Sequence, residues 1–353
     1  MKQNITALLI ILVLLFIVLL GLNFYFGPQK ADFVDPNLEK LIRNKINRPE
    51  GVIYSYHLRS IIELDATRND IENLEGIEFL SNLARLNLED NRVKDVTPLK
   101  QLDNLKDLSL RNNYITDLAD INFEDLKALP LKRLSLRHNV VRPPDEEQIR
   151  LSDISILKHF KELEELELRD NHIENITPLA ELTGLKILDI SQNPLEKGDI
   201  AALKKLTGLT ELNLRETNLK DLAPISGLID LVYLNIHSNP DLKTIAPVQN
   251  LAKLETLIMR NVPVGKEIEF IAPLKDLNRL NLRNCNVSNL SVLGELMEKG
   301  ALQDQPARSI KAEVDIRDNP VATYEDDGVD GYAPVREYWQ NLSYRQPQSL
   351  PED

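Results

Sequence analysis

The sequence predicts an α/β solenoid, in which one short strand from each of many repeats joins a parallel, concave β-sheet. A helical cap is expected at the N-terminal end and a shorter cap at the C-terminal end. Two observations carry this prediction: leucines alternate at period two over short segments, and the whole pattern returns at a regular spacing. With 353 residues, the chain is long enough for two ordinary domains or for one long array. The regular spacing favours the array.

The repeated unit reads apolar, any, apolar, any, any, Asn, any, apolar, and it is complete in LNLEDNRVKDVTPL and LELRDNHIENITPL. Alternating leucines predict a strand whose leucines point into the solenoid, while the residues between them face the concave surface. The asparagine position, which we call the ladder position, holds Asn69, Asn91, Asn113, Asn139, Asn171, Asn193, Thr217, Asn239, Val262, Cys285 and Asn319. The commonest step between successive ladder positions is 22 residues, which falls in the range of leucine-rich repeats.

The ladder position carries a structural prediction of its own. An asparagine there can donate and accept hydrogen bonds at once, and so can satisfy backbone groups that water does not reach. Thr217 and Cys285 can do part of this, whereas Val262 cannot. Cys285 is also the only cysteine, which excludes an intramolecular disulfide and a set of thiols for zinc. We interpret it as a buried ladder residue and not as a nucleophile.

The N-terminal cap is predicted over residues 31–60, because a terminal repeat would otherwise expose its apolar face. Asp35 and Pro36 begin a helix, and Pro49 with Gly51 ends it. The apolar stripe of this helix is expected to hold Leu38, Leu41, Ile42 and Ile46.

The repeats are expected over residues 61–322, followed at 323–353 by a C-terminal cap and a flexible tail. Pro334 opens a short helix in this cap. Its apolar face is expected to hold Val335, Tyr338, Trp339 and Leu342. The single tryptophan is therefore interpreted as a packing residue of the cap and not as a platform for a ligand.

Residues 1–30 are predicted to be a membrane anchor or a signal segment. The stretch 5–26 carries no charge, and at about 1.5 Å per residue a helix of that length could cross a bilayer. Lys2 precedes it, so the positive-inside bias predicts that the rest of the chain lies outside the cytoplasm. A cleaved signal peptide is the alternative, but the Asn-Phe-Tyr-Phe sequence at 23–26 favours a retained anchor. The expected location is the cell membrane, with a single pass.

Charge and motifs argue against several functions. The formal net charge of -13 would repel phosphate backbones, so nucleic acid is not an expected partner. None of the 5 histidines stands in a metal-ligand spacing, and there is neither a Gly-x-Ser-x-Gly elbow nor a glycine-rich phosphate loop. We therefore expect no enzyme activity, no cofactor and no metal site.

The segments FVDPNLEKLIRNKINRPEG and IENLEGIEFLSNLARLNLEDNRV, with repeats of the DVTPL style, resemble internalin-like bacterial leucine-rich-repeat proteins. The resemblance runs from Phe33 to about Val321. It implies a curved module that binds a protein partner through its concave face. The sequence shows no cell-wall sorting motif, no immunoglobulin-like module and no repeated wall-binding modules. We therefore expect attachment through the membrane anchor, with a partner in the same envelope.

The predicted concave face carries a row of arginines two residues before the ladder position: Arg111, Arg137, Arg169, Arg215, Arg260, Arg283 and Arg317. Neighbouring strands lie about 4.8 Å apart, so consecutive arginines repel each other unless acids neutralise them. We expect Glu165 and Glu167 to neutralise Arg169. Glu313 and Asp315 are expected to do the same for Arg317.

No such acids are predicted beside the arginines of the later strands, so a partner-binding site is expected there. Its predicted residues are Tyr233, His237, Ile258, Arg260, Arg279 and Arg283. Uncompensated arginines beside an exposed tyrosine and an exposed isoleucine have the composition of an interface hot spot. The expected ligand is an acidic segment of a protein partner, and a merely solvated patch is the alternative.

The sequence as a whole predicts a membrane-tethered binding module outside the cytoplasm. Its concave face is expected to recognise a protein partner or an anionic envelope polymer. A structural component of the cell envelope without a defined ligand is an alternative, and a hydrolase acting on wall material is another.

Overall fold

The computed structural model describes residues 29–116, 118, 123–141, 148–195, 199–305, 311–321 and 331–340. The apolar segment 5–26 and the predicted tail beyond residue 340 lie outside them, as does Leu342. Within these ranges, none of the helices combines the length and the apolar character needed to cross a membrane.

Eleven short parallel strands form one continuous sheet, and their order in the sheet follows the chain. The strands are β1 Glu63–Asp65, β2 Arg85–Asn87, β3 Asp107–Ser109, β4 Arg133–Ser135, β7 Glu165–Glu167, β8 Ile187–Asp189, β9 Glu211–Asn213, β10 Tyr233–Asn235, β11 Thr256–Ile258, β12 Arg279–Asn281 and β13 Glu313–Asp315. A separate antiparallel hairpin of β5 (Val140–Val141) and β6 (Ile149–Arg150) leaves the array between β4 and β7. The predicted parallel sheet is confirmed.

Each strand of the sheet is three residues long, and its middle residue points into the solenoid. This residue is leucine in every strand except β13, where it is Val314. Leu64 pairs in register with Leu86 at one end of the sheet, and Leu280 pairs with Val314 at the other. All of these middle residues are buried, as the alternating leucines predict.

The residue before each ladder position turns the chain out of the strand. Its φ angle is positive in every repeat, with values from 50° at Asn112 to 60° at Asn261. This left-handed conformation costs on the order of 1 kcal/mol for a residue that has a Cβ atom. It also aims the N–H group at the next repeat, as where Asp90 N–H donates to the carbonyl of Arg111 at 3.0 Å. Such bonds between repeats offset the cost of the turn.

The convex side consists largely of short 3-10 helices, and the Asp or Asn of the repeat starts several of them. The Asp95 carboxylate accepts the N–H of Thr97 at 2.8 Å, and Asn175 does the same for Thr177 at 2.8 Å. Such side chains fix the first turn, and a proline is tolerated directly after it. The 3-10 helices are Ile77–Phe79, Thr97–Gln101, Phe123–Ala128, Ser155–His159, Thr177–Glu181, Ala201–Lys205, Ala223–Ile225, Ala246–Asn250 and Gly265–Ile271.

The asparagine ladder joins neighbouring repeats inside the solenoid. Asn171 is buried, and its side-chain oxygen accepts the N–H of Asn139 at 2.9 Å. Its amide group donates to the carbonyls of Leu136 at 2.9 Å and Leu168 at 2.8 Å. One side chain thus serves backbone groups of two repeats, which confirms the predicted role of the ladder position.

The three substituted ladder positions behave as their chemistry predicts. The Thr217 hydroxyl donates to the carbonyl of Leu214 at 2.6 Å, and the Cys285 thiol lies 3.1 Å from the carbonyl of Met259. Val262 offers only its backbone, whose N–H donates to Met259 at 3.0 Å. Burial raises the pKa of Cys285 to about 12. This thiol is therefore protonated at neutral pH, in agreement with a structural role.

The helix predicted at Asp35 and Pro36 is α1, Pro36–Lys45, and Asp35 ties it to the first repeat. One oxygen of this carboxylate accepts the N–H of Asn37 at 2.8 Å. The other accepts the N–H groups of Glu72 at 2.8 Å and Asn73 at 3.2 Å. Burial works to raise the pKa of Asp35, but these hydrogen bonds outweigh it, and the pKa lies below its ordinary value.

The segment before α1 crosses the first repeat at a glycine. Gly76 has a φ of +101°, and a Cβ atom there would lie 2.4 Å from the carbonyl oxygen of Asp32. The same segment pairs with the chain that leads into α2 (Ser55–Leu58), because Ala31 N–H donates to the carbonyl of Ile53 at 2.9 Å. Gly76 therefore lets the cap lie directly on the array.

The C-terminal end of the array is covered by two helices, α3 (Ser291–Glu298) and α4 (Ala333–Gln340). Val335 and Trp339 of α4 are buried, and the two helices are in close contact. The tryptophan packs inside the cap, as predicted, and the short C-terminal cap is confirmed.

Candidate protein-binding site

Three rows of side chains cover the concave face. The first and second rows are the outer residues of each three-residue strand, and the third row lies two residues before the ladder position. The first row holds Glu63, Arg85, Asp107, Arg133, Glu165, Ile187, Glu211, Tyr233, Thr256, Arg279 and Glu313. The third row holds Thr67, Glu89, Arg111, Arg137, Arg169, Ser191, Arg215, His237, Arg260, Arg283 and Arg317.

In the N-terminal half of the face, the first row alternates in charge, and both of its arginines pair with acids. Arg85 forms an ion pair with Glu63, and Arg133 lies 2.5 Å from Asp107. Burial raises the pKa of Glu165, and nearby carboxylates add to that effect. The strands here line a shallow groove with five acids and two arginines, so acidic side chains are in excess there.

The third row contains the predicted arginines, and several of them have acidic partners. Arg111 lies 2.6 Å from Glu89, and Arg215 lies 2.6 Å from Glu216. Glu216 lies at the left-handed turn directly before the ladder residue Thr217. Residues at this turn can therefore pair with the arginines of the third row.

The two pairings predicted for this row have different outcomes. Arg317 forms the expected ion pair with Asp315, at 2.8 Å. Arg169 was expected to be neutralised by the glutamates of its own strand, and this prediction is wrong. Its Nε atom donates instead to Gln192 at 2.7 Å, because the left-handed turn places that side chain beside the row.

The prediction that Arg279 and Arg283 lack acidic partners is also wrong. Arg279 lies 2.8 Å from Glu313, which stands directly opposite it in the register of β12 and β13. Arg283 lies 2.6 Å from Asp318, the turn residue before the next ladder position. Both acids come from the following repeat, 34 and 35 residues further along the chain.

Arg260 is different, because among the described residues it forms no salt bridge. Its Nε atom is buried and has no hydrogen-bond partner there. Ile258, two residues earlier, lies opposite Asn235 in the register of β10 and β11, and it remains partly exposed. The Arg260 Nε–H group, a hydrogen-bond donor without an acceptor among the described residues, therefore lies near the apolar side chain of Ile258.

The side chains of β10 complete this surface. Burial lowers the pKa of His237, and the charges of Arg215 and Arg260 lower it further, so the imidazole is neutral at pH 7. Burial raises the pKa of the Tyr233 hydroxyl, which is therefore protonated. The structure brings Tyr233, His237, Ile258 and Arg260 together on two neighbouring repeats. Their role in partner binding remains a prediction.

In the third row, Arg137 also has no salt bridge within the described part of the chain, like Arg169 and Arg260. Burial lowers its pKa, as do the charges of Arg169 and Arg111 on either side. In the sequence, the signal for an unpaired arginine here is that three consecutive third-row positions all hold arginine.

The chemistry of this face suits recognition. Over the described ranges, no group of three or more His, Cys, Asp or Glu side chains could hold a metal ion. The face offers guanidinium and imidazole donors, a phenol and an isoleucine. These groups can bind carboxylates and apolar side chains of a partner.

The chain is similar to leucine-rich-repeat proteins of known structure. A family model for leucine-rich repeats in two copies matches residues 81–127 and 161–205. Internalin InlF from Listeria monocytogenes is 25% identical with a TM-score of 0.67, and the match covers 85% of this chain and 87% of that one. Internalin C2 from the same organism is 28% identical with a TM-score of 0.58, over 66% of this chain and 97% of that one.

A leucine-rich-repeat protein from Leptospira interrogans shares the fold at 23% identity, with a TM-score of 0.61 over 82% of this chain and 73% of that one. No curated protein matches the chain significantly. The resemblance predicted from the cap and the repeats is confirmed by the family model and by both internalins. The chain carries leucine-rich repeats and is similar in sequence and fold to bacterial internalins.

Proposed function

We propose that this protein is a membrane-tethered binding module outside the cytoplasm, whose concave face recognises an acidic segment of a protein partner. The leucine-rich-repeat fold is that of a protein-binding module. The observation that carries the finer proposal is Arg260, which forms no salt bridge among the described residues and whose buried Nε atom has no hydrogen-bond partner among them. Arg260 as a whole remains partly exposed, so a carboxylate of a partner can pair with its guanidinium, and a charge-assisted hydrogen bond of this kind is short and strong.

The neighbours of Arg260 support the same reading. Ile258 and Tyr233 offer apolar area beside the charge, and the neutral His237 adds little repulsion. Arg279 and Arg283 are paired, but each ion pair is partly exposed: Arg279 is 48% exposed beside Glu313, and Asp318 is 55% exposed beside Arg283. Exposed ion pairs contribute little to stability, so both arginines can exchange their acids for carboxylates of a partner.

The first test is a charge reversal. Arg260→Glu should lower capture of the partner from solubilised membranes at least about tenfold, because like charges then face each other. Arg137→Glu is the matched control, since Arg137 also lacks a salt bridge among the described residues and lies five strands away, at about 24 Å. Equal loss in both variants would contradict the assignment to Arg260.

A photo-crosslinking amino acid at Ile258 separates the candidate functions. A protein adduct of defined mass, absent when the label stands at exposed Ile229, supports a protein partner. A diffuse adduct of envelope polymer would favour the polymer as ligand. If the label at Ile258 gives no adduct, a structural role in the envelope is favoured. If the protein releases fragments of wall material, a hydrolase is favoured.

The membrane location is tested separately. The full chain should fractionate with membranes, and protease added outside wall-stripped cells should degrade everything after about Lys30. A marker protein in the cytoplasm should stay intact in the same sample. Release into the medium of a chain that lacks its first residues would contradict the proposed anchor.

A further inference from the structure

The N-terminal cap presents an exposed face that contains two stacked tyrosines. Lys30 stands opposite Tyr54 in an antiparallel bridge, and Val52 lies two residues before Tyr54 in extended chain, so these side chains share one face. Tyr54 stacks on Tyr56 with 5.6 Å between ring centroids and an angle of 8°. We call the surface formed by Lys30, Val52, Tyr54 and Tyr56 the tyrosine face.

Exposed apolar side chains are concentrated at this end of the solenoid. Those of the described residues are Val34, Val52, Tyr56, Ile62, Ile149 and Ile229. Four of these six lie within or directly after the cap, although the cap is a small part of the array. Tyr56 is 49% exposed and Val52 is 40% exposed. Val52 and Tyr56 belong to the tyrosine face and give it apolar area that a membrane interface can cover.

The cap is also the basic end of an acidic protein. Residues 29–60 contain six lysines and arginines against four aspartates and glutamates, which gives a charge of +2 by subtraction, whereas the whole chain carries -13. A basic surface next to an apolar segment is attracted to anionic phospholipid headgroups. Tyrosine prefers the same interfacial region, because its ring is apolar and its hydroxyl is polar.

The length of chain between the apolar segment and the cap limits where this face can lie. Gln29 is fixed to the cap, because its carbonyl accepts the N–H of Ser55 at 2.8 Å. Only Gly27 and Pro28 separate it from Phe26, and three steps of extended chain span at most about 11 Å. The headgroup layer is itself about 6 Å deep on each side of the hydrocarbon core. If residues 5–26 cross a bilayer, this short connection holds the tyrosine face close to the headgroup layer.

We infer that the tyrosine face docks onto the headgroup region of the membrane and fixes the direction in which the solenoid leaves the bilayer. This inference rests on the proposed membrane anchor. Tyr54 and Tyr56 are the interfacial side chains, and Lys30 exchanges its exposed ion pair with Asp32, at 2.7 Å, for an anionic headgroup. A second copy of the chain or a protein partner on this face is the competing occupant.

The test uses the full chain in vesicles of phosphatidylcholine and phosphatidylglycerol, some of whose lipids carry a nitroxide at the headgroup. A Tyr56→Trp variant reports on the tyrosine face, and Ile229→Trp is the matched control, since Ile229 is 58% exposed and lies in a distant repeat. The buried Trp339 is common to both samples. Fluorescence from the Tyr56→Trp reporter should fall at least about twofold with the nitroxide lipid, and the control should not change.

Flotation of the vesicles keeps this inference separate from the proposed anchor. A chain that does not float with the vesicles contradicts the anchor. A chain that floats, but whose two reporters are quenched equally or not at all, overturns docking of the tyrosine face and leaves the anchor intact. A spectral change at the Tyr56→Trp reporter that grows with the protein-to-lipid ratio and ignores the nitroxide also overturns it, in favour of a second copy.

Discussion

Gly76→Ala is expected to lower the free energy of unfolding by about 3 kcal/mol or more, the largest effect of any single methyl group considered for this chain. Two causes add. The φ of +101° at this position is strained for any residue with a Cβ atom. The new Cβ would also lie 2.4 Å from the Asp32 carbonyl oxygen and 2.7 Å from the Phe33 ring. The first of these atoms is backbone and cannot move unless the cap lifts.

The measurement is denaturant unfolding of the full chain in detergent, followed by circular dichroism. Gly227→Ala is the control, because a Cβ atom there meets nothing within 4 Å, and its effect should stay within about 0.5 kcal/mol. Protease should also cut the Gly76→Ala variant first in the segment before α1. Similar midpoints for both variants would contradict the close approach of the cap to the first repeat.

Asn171→Val is expected to lower the free energy of unfolding by about 2 to 3 kcal/mol. Valine fills a similar volume but neither donates nor accepts hydrogen bonds. The N–H of Asn139 would lose the acceptor that it has at 2.9 Å. The carbonyls of Leu136 and Leu168 would each lose one of two donors, because Asn139 and Asn193 also donate to them.

Val262→Asn is the reverse change at the same position of another repeat. It should alter the free energy of unfolding by less than about 1 kcal/mol, because valine makes no side-chain hydrogen bond that the change could remove, and the nearby Met259 carbonyl can accept from the new amide. Comparison of the two denaturation midpoints checks the prediction. If the denaturation midpoints of both variants shifted by the same amount, the hydrogen bonds of the ladder would not be what stabilises the contact between repeats.

The ladder could be predicted from the sequence because it depends only on the repeat period and on the chemistry of each side chain. The period fixes which residues point inward, and the donor and acceptor capacity of each side chain then decides what it can do. That reasoning was sufficient even for the exceptions, Thr217, Val262 and Cys285. The strands followed in the same way, since leucine alternation determines both the face and the register.

The charge pattern of the concave face could not be predicted in the same way. Its ion pairs join different repeats, and the partners often stand at the left-handed turn before the ladder position. Asp318 and Gln192 reach the third row from that turn, although in the sequence they read as ordinary turn residues. Gly76 was missed for a related reason. What it accommodates is a segment that lies more than 40 residues away in the chain and contacts it only in the folded cap.

The hairpin of β5 and β6 has a consequence for how such a protein can diversify. Arg133 of β4 pairs directly with Glu165 of β7, so the sheet continues past the added residues as if they were absent. The hairpin begins and ends at hydrogen bonds to the ladder, from Val140 N–H to the carbonyl of Asn113 and from Leu151 N–H to that of Asn139, both at 3.2 Å. New sequence can therefore accumulate on the flank between two repeats while the pairing of the neighbouring strands is kept. Evolution can thus alter what one side of the array recognises without rebuilding the frame that holds it.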